Sequence, residues 1–225
     1  NKDWQWSLGF TYAYNKNKIK KISNALREQN EQNLAKGGVA PLPVYEEGQS
    51  LTALKVVPSA GIDPVTGQEI FIKRDGSYTF VYDPNDKVIF GDTNPTGIGA
   101  INSYLTYKRF AFSCSFQYSF GGALYNETLA TKVEGANPKY NADERVLNDR
   151  WKTPGTEAKY KRIDDTATPY QTSRFVQKTN YLRMTSLSFS YEVPTTWLQK
   201  YGLKRMFLEL LTNDLFYLST AKRER

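Results

Sequence analysis

The sequence contains no histidine and a single cysteine, Cys114. Without histidine there is no Ser-His-Asp triad, no Cys-His catalytic pair and no histidine-ligated zinc site. A single cysteine also excludes a disulfide framework within the chain. Cys114 lies at an alternating apolar position, so we interpret it as a small hydrophobic side chain rather than a reactive thiol.

Long apolar runs are also missing. No run of about 18 apolar residues occurs, so the sequence predicts no transmembrane helix. Mean hydropathy is low, at −0.60. A low value is compatible with a membrane β-barrel, because each barrel strand turns half of its residues away from lipid.

The charge is moderately basic and scattered. Thirty Lys and Arg residues stand against 23 Asp and Glu residues, which gives a formal net charge of +7. The basic groups lie at 16–21, 108–109, 159–162 and 222–225. A nucleic-acid-binding protein would gather such groups on one face or one recognition helix. We therefore interpret the charge as a solvated basic surface and predict no nucleic-acid partner.

What the sequence does contain is two long alternating segments, 4–14 (WQWSLGFTYAY) and 110–120 (FAFSCSFQYSF). In both, large apolar side chains alternate with small uncharged ones, which is the period of a β-strand. A soluble sheet usually carries charged residues on its wet face, and these segments carry none. Eleven residues also match the length of a tilted transmembrane strand. The pattern predicts membrane-spanning barrel strands with aromatic residues outward and small polar residues inward.

Weaker signals fill the rest of the chain. Asp75-Gly76 is typical of a hairpin turn. The acidic segments 83–86 and 91–95 do not match an EF-hand calcium loop, so we interpret them as turns. The residues 121–173 form a polar stretch with few strand signals, which we expect to be an external loop. The other predicted elements are a helix at 22–35, strands at 51–58, 69–73, 77–82, 98–107, 174–192 and 204–217, and a helical turn at 197–201.

The fold class predicted from these elements is all-β, with antiparallel transmembrane β-barrel strands and long extracellular loops. We count six to eight strands, too few for a complete barrel of this design. Lipid requires a closed edge, because unpaired backbone groups there cost several kcal/mol each. The chain begins at Asn1 and stops in a charged run, 221–225, that reads as a loop. We therefore expect residues 1–225 to be part of a larger barrel.

The sequence resembles the SusC/RagA family of TonB-dependent outer-membrane transporters from Bacteroidota. The most specific region is 145–191, where the spacing of Trp, Pro, Gly and Arg is hard to reach by chance. The matching phrases are AGIDPVTGQEIF (60–71), GDTNP (91–95), YKRFAFSCSFQYSFGGALYN (107–126), RVLNDRWKTPGTEAKYKRI (145–163), SRFVQKTNYLRMTSLSFSYEVP (173–194) and LTNDLFYLSTAKRER (211–225). Residues 15–55 match only loosely.

The resemblance implies a C-terminal portion of a barrel of about 22 strands around an N-terminal plug. It implies a cell outer-membrane location in contact with lipid, and a SusD-like surface lipoprotein as partner. It also implies TonB-dependent import of oligosaccharide or peptide nutrients, driven by the TonB complex through an N-terminal part. The plug domain, the TonB box and the closing strand after Arg225 are expected to be absent from this chain.

Substrate or partner contacts are predicted in the polar stretch, at Arg150, Trp151, Tyr160 and Tyr170. These side chains could stack on a sugar ring, hydrogen-bond to it, or dock the lipoprotein. A structural role is the competing interpretation. In that case Trp151 packs the loop, and Arg150 pairs with an acid such as Asp149 or Asp164.

Two other function classes compete with transport. A soluble all-β carbohydrate-binding or adhesin module would explain the loops and the hairpin, but not two charge-free strands of eleven residues. An enzyme is disfavoured, since the acid pairs 143–144 and 164–165 are neighbours in sequence. Glycosidase chemistry needs two carboxyl groups held across a cleft. We predict no catalytic residue, no cofactor and no metal site.

Overall fold

The computed structural model describes residues 3–36, 38–137, 139–165 and 167–221. The predicted terminal loop at 222–225 lies outside the described residues. The strands are β1 (Trp4–Tyr14), β2 (Ala53–Val56), β3 (Ser59–Ile62), β4 (Glu69–Ile72), β5 (Tyr78–Thr79), β6 (Val88–Asp92), β7 (Gly97–Tyr107), β8 (Phe110–Phe120), β9 (Ala123–Tyr125), β10 (Val176–Lys178), β11 (Tyr181–Glu192), β12 (Phe207–Asn213) and β13 (Tyr217–Ser219).

Helices are few and mostly short. The α-helices are α1 (Asn24–Ala35), α2 (Arg145–Asn148) and α3 (Thr195–Leu198). A π-helical segment covers Leu129–Glu134, and single 3-10 turns cover Pro84–Asp86, Ser173–Phe175 and Gln199–Tyr201. Within the described residues, no helix has the length and apolar character needed to cross a membrane.

The chain divides into two compact units. The first unit draws its described residues from 1–15, 95–121 and 179–222, and the second from 16–94 and 122–178. The first unit is one antiparallel sheet of six strands, in the order β1-β7-β8-β11-β12, with β13 also paired to β11. The predicted strands 4–14 and 110–120 are confirmed at both ends, and the predicted strand 98–107 begins one residue earlier.

The tight turn between β7 and β8 consists of Lys108 and Arg109. Lys108 takes a positive φ of 54°, and its backbone N–H donates to the carbonyl of Asp3 at 3.0 Å. All eleven residue pairs of the two strands stay in register from Gly97–Phe120 to Tyr107–Phe110. The predicted hairpin around 108–109 is therefore confirmed.

Two predicted strands are each interrupted. The segment 174–192 splits at Thr179–Asn180, because β10 pairs with β9 in the second unit whereas β11 joins the large sheet. The segment 204–217 splits at Asp214, which adopts a φ of 54°. Both halves, β12 and β13, then pair with β11. The local alternation of apolar and polar residues does not indicate which strand each half of a divided segment pairs with.

The second unit contains three small antiparallel sheets: β2 with β6, β3-β4-β5, and β9 with β10. The predicted hairpin at Asp75-Gly76 is confirmed as the turn between β4 and β5. Asp75 accepts hydrogen bonds from the N–H and the hydroxyl of Ser77, and Gly76 has a φ of +86°. The predicted helix is confirmed as α1, which Ser23 caps by accepting from the N–H of Leu26.

The polar stretch 121–173 is more ordered than the prediction of a loop. It contains β9, the π-helical segment and α2, and it supplies most of a buried apolar core. The core residues are Leu129, Ala130, Val133, Val146, Tyr160 and Phe175. The estimate of six to eight strands is accordingly too low, since the described residues hold thirteen, several of only two to four residues. Such short strands leave almost no alternation to detect.

Candidate functional site

The large sheet has one face built almost throughout from large apolar side chains. The registers place alternate residues of neighbouring strands on the same side. These side chains stay open to the surroundings, and Trp6 and Phe10 are each 66% exposed. This apolar face comprises Trp4, Trp6, Leu8, Phe10, Tyr12 and Tyr14 of β1, Ile101, Leu105 and Tyr107 of β7, Phe110, Phe112, Cys114, Phe116, Tyr118 and Phe120 of β8, Leu182, Met184, Leu187, Phe189 and Tyr191 of β11, and Leu208 and Leu210 of β12.

Rings on the apolar face contact one another across the strands. Phe10 stacks on Tyr118 with ring centroids 5.9 Å apart, and Tyr12 stacks on Phe120 at 6.1 Å. Gly99 on the intervening strand β7 makes this possible, because a Cβ there would lie 2.4 Å from the hydroxyl of Tyr118. Aromatic side chains of β1 and β8 therefore meet across β7 on this apolar face.

The opposite face of the sheet is mainly small and polar. It includes the predicted inward residues Ser7, Thr11, Ser113, Ser115, Gln117 and Ser119, together with Asn102, Thr106, Ser186, Ser188 and Ser190. Ser113 and Ser188 share a hydrogen bond of 2.7 Å across β8 and β11. The guanidinium of Arg183 binds the carboxylate of Asp214 at 2.6 Å. Larger side chains on this face are Ile98, Tyr104, Phe207 and Leu211.

Arg150 is buried in the second unit and is held by backbone carbonyls. Its Nη2 donates to the carbonyls of Val133 at 2.5 Å and Glu134 at 2.8 Å. Its Nη1 donates to Lys161 at 3.1 Å. Burial lowers the pKa of Arg150, although the nearby Glu134 opposes that effect. The guanidinium of Arg150 thus donates its hydrogen bonds to backbone carbonyls, and not to Asp149 or Asp164.

Trp151 is fixed by its indole and by a close glycine. Its Nε1 donates to the carbonyl of Pro64 at 2.8 Å. Gly67, with a φ of +70°, lies directly beneath the ring, and a Cβ there would be 2.5 Å from Cδ2 of Trp151. The turn 63–67 and Trp151 therefore pack together although they are far apart in sequence. The ring stays half-buried, with part of its surface open to solvent.

The two tyrosines named with them have different environments. Tyr160 is 7% exposed and belongs to the apolar core. Tyr170 is 41% exposed and stacks on Tyr82 with ring centroids 4.3 Å apart, while Phe71 packs edge-on against both rings. Burial raises the pKa of Tyr82 to about 12, so its hydroxyl stays protonated at physiological pH. Of the four predicted contacts, Trp151 and Tyr170 are the ones with open ring surface.

Sequence reasoning missed the buried ion cluster that organises this region. Arg174 makes two hydrogen bonds to the carboxylate of Glu69, at 2.7 and 2.8 Å, and a further one to Glu134 at 2.6 Å. All three side chains are almost fully buried, and that of Glu134 has no exposed surface. Glu69 and Arg174 are 105 residues apart in the chain. No local pattern in the sequence signals such a pair.

A pocket of about 450 Å³ opens beside Arg150 and Trp151. Val146, Leu147 and Ile163 supply its apolar lining. Lys152, Arg162 and Asp164 supply the remaining charged groups. Arg162 and Asp164 neutralise each other through two hydrogen bonds, the longer of them 2.5 Å from Nε to Oδ1. The pocket thus joins two of the four predicted contact residues, Arg150 and Trp151, and leaves out Tyr160 and Tyr170.

Two solved structures of a peptide transporter contain a region with this fold. The structure of the RagAB peptide transporter superposes with a TM-score of 0.78 at 19% identity, over 98% of this chain and 24% of that chain. The RagAB peptide importer in its "open-open" state gives a TM-score of 0.78 at 20% identity, over 99% and 24%. At these identities the likeness concerns the fold, and it confirms a mostly antiparallel β structure of this type.

Sequence relatives point to the same class. The chain is 29% identical over 240 residues to TonB-dependent receptor P3 of Formosa agariphila, covering 96% of the chain and 22% of the receptor. TonB-dependent receptor P39 of the same organism is 23% identical over 155 residues, covering 67% and 15%. No family model matches. The resemblance to SusC/RagA-type TonB-dependent receptors is confirmed, and the chain spans less than a quarter of the length of these relatives.

Proposed function

We propose that this chain forms part of the wall of an outer-membrane β-barrel that imports nutrients in a TonB-dependent manner. The observation that carries this proposal is the two-sided sheet of the first unit. Across its strands, with one register shift in β11 between Met184 and Ser186, a large apolar face lies opposite a small polar face, as lipid on one side and a wet interior on the other require. The whole barrel has about 22 strands, and the chain belongs to its C-terminal portion.

The orientation in the membrane follows from the lengths of the connections. Bacterial barrels have short turns on the periplasmic side and long loops outside. The two-residue turn at Lys108-Arg109 therefore faces the periplasm. The connections from Tyr14 to Gly97 and from Phe120 to Tyr181 start and end at the opposite ends of the strands, which this orientation places on the outer side of the membrane.

The partners follow from the relatives and from the resemblance. A SusD-like surface lipoprotein binds on the outside, and the TonB complex acts through an N-terminal part of the whole protein. The cargo is an oligosaccharide or a peptide. Trp151 and Tyr170 provide direct contacts to cargo or lipoprotein, because their rings retain open surface, whereas Arg150 and Tyr160 support the region from its interior.

A soluble carbohydrate-binding or adhesin module fits the molecule less well. Such a module would have to cover the apolar face, because a contiguous exposed patch of this kind promotes aggregation in water. Enzymatic activity also finds no support in the relatives, which are described as receptors and transporters.

Gel mobility of the full-length protein tests the barrel assignment. Outer membranes are prepared, and the protein is run in SDS with and without boiling. A closed barrel resists SDS until it is heated, so a heat-dependent shift in the outer-membrane fraction is expected. A soluble protein whose mobility does not change on boiling would contradict the proposal and favour the soluble module. Uptake of peptides and glycans, with and without TonB, then tests import.

A further inference from the structure

The pocket beside Trp151 carries more positive than negative charge, and this excess has a structural cause. Glu69 and Glu134 are buried and pair with Arg174, and although Glu134 and Asp165 are near enough to favour a charged Arg150, neither carboxylate accepts a hydrogen bond from it. Arg150 is left with carbonyl oxygens as its hydrogen-bond acceptors, so its charge is solvated by dipoles rather than neutralised by a bound acid. An arginine remains protonated under physiological conditions. A fixed positive charge therefore lies in the wall of the pocket.

Lys152 adds a second, accessible cation. It is exposed, and no hydrogen bond or ion pair joins it to another of the described residues. Arg162, the third cation, is occupied by Asp164. Among the described residues, the pocket lining thus offers one free ammonium donor, Lys152, together with the fixed guanidinium charge of Arg150, and its one carboxylate, Asp164, is already paired. This arrangement suits an anionic group on a ligand.

The apolar part of the lining limits what that ligand is. Leu147 is 67% exposed and Ile163 is 43% exposed, and they lie in the same pocket as the fixed ring of Trp151. Exposed aliphatic side chains at a pocket favour an apolar side chain on the ligand. An oligosaccharide would instead need hydroxyl-binding amides and carboxylates. A carboxylate next to an apolar side chain is the chemistry of a short peptide.

We propose that this pocket binds a short peptide, with a carboxylate at Lys152 and an apolar side chain against Leu147 and Ile163. The proposal rests on the proposed function, and it selects peptide from the two classes of cargo named there. The carboxylate is either the C-terminus or an acidic side chain. Trp151, held by Pro64 and Gly67, presents its ring without reorganisation on binding.

Binding of labelled peptides to the purified full-length receptor tests this. The probe is a tetrapeptide of three glycines and a C-terminal leucine with an uncharged dansyl label at its N-terminus, compared with its C-terminal amide. A third peptide carries aspartate before an amidated leucine. Fluorescence anisotropy is expected to show that amidation weakens binding about tenfold. A change of this size corresponds to the free energy of one charge-assisted hydrogen bond. If the third peptide binds like the free acid, the anion can come from a side chain.

The matched variants are Lys152→Gln and Lys159→Gln. Lys159 is an exposed lysine of the same unit, but it pairs with Asp149 and does not line the pocket. We expect Lys152→Gln to weaken the free-acid peptide about fivefold to tenfold and to abolish the difference between acid and amide. Lys159→Gln should leave both affinities unchanged.

Three results would overturn the proposal: equal binding of acid and amide by the unaltered receptor, equal effects of the two lysine variants, or no peptide binding at all. The first and third of these results are obtained with the unaltered protein, so they would contradict the proposal even if a variant failed to fold. Failure of the proposed function shows up separately, as a protein that lacks the heat-dependent gel shift. A protein that shows the heat-dependent gel shift but binds no peptide would contradict the peptide site and leave the barrel assignment intact.

Discussion

At the scale of single residues, Arg174 is the side chain on which the buried charge of the second unit depends. It is the shared partner of Glu69 and Glu134, and all three are almost fully withdrawn from water. Burial alone disfavours a charged Arg174, but the hydrogen bonds and the charges of the two acids outweigh it and raise its pKa above the usual range. Removing one member of such a cluster leaves the others charged in a poorly solvated interior.

Replacing Arg174 with methionine should destabilise the second unit strongly. Two buried carboxylates lose their cation, which typically costs about 3–5 kcal/mol. Hydrogen exchange of residues 122–178 in the full-length protein measures the loss of protection. Arg205→Met is the matched control, because Arg205 pairs with Glu192 at an exposed site where such pairs contribute about 0–1 kcal/mol. Equal loss of protection in both variants would contradict a structural role for the cluster.

Gly67 and Gly76 have similar backbone conformations, so substitutions at these two positions distinguish the effect of a steric clash from the effect of backbone strain. Gly67 and Gly76 have φ values of +70° and +86°, but Gly67 lies under the Trp151 ring whereas nothing lies within 4 Å of a Cβ at Gly76. Either Gly→Ala change adds about 1–2 kcal/mol of left-handed strain. Gly67→Ala should also displace the ring and break its hydrogen bond to Pro64, and hydrogen exchange around residue 151 should rise in that variant alone. Similar exchange in both variants would show that the ring is not held as described.

None of these residue-scale features is visible in the sequence. Of the four contact residues predicted in the polar stretch, Trp151 and Tyr170 keep open ring surface, and their contacts stay a prediction. Burial of Arg150 and Tyr160 depends on chain segments that meet only in the folded unit. The partners of Arg174 are likewise distant, and an isolated Arg or Glu gives no hint that it will be buried.

At the scale of elements, the alternation of β8 assigns neighbouring residues to opposite faces of the sheet. Phe116 lies on the apolar face, where its ring centroid is 5.9 Å from that of Phe216. Gln117 lies on the polar face and pairs with Arg183 of β11. Because Phe116 and Gln117 are neighbours in sequence, they lie at almost the same height along the strand. A charge is therefore expected to have a different effect at each position.

Phe116→Lys should destabilise the barrel by about 2–4 kcal/mol if the residue is near the middle of the bilayer, because an ammonium on the lipid face is poorly solvated. Gln117→Lys should change stability far less, since its side chain faces the wet interior. Urea titration of the two variants in lipid vesicles, with the gel shift as readout, compares them. A larger effect at Gln117 would reverse the assignment of faces.

The elements also show which parts of a fold a sequence reveals. Strands β1, β7 and β8 were predicted nearly to their end residues because a period of two over eleven residues is a strong local signal. The split of β12 from β13 at Asp214 and the pairing of β9 with β10 were not predicted. Both depend on partner choice across the chain, and strands of three residues offer too few alternations to detect.

At the scale of the whole molecule, the sheet of the first unit supports the membrane part of the proposed function, and the pocket of the second unit is the site proposed to bind peptide. The similarity to RagAB structures and to TonB-dependent receptors covers nearly all of this chain but less than a quarter of theirs. The barrel class was predictable from alternation and from the resemblance. The proposed peptide pocket was not predictable, because only folding brings its charged and apolar side chains together.

The central claim is that the two faces of the sheet meet lipid and water. It is tested most directly by a spin-label scan of residues 110–120 in the full-length receptor, with Cys114 first replaced by serine. Collisions with oxygen, which partitions into lipid, are expected to peak at the even-numbered positions, and collisions with a water-soluble nickel chelate at the odd-numbered ones. Equal accessibility of both sets to the two reagents, or nickel contact at the aromatic positions, would contradict the account.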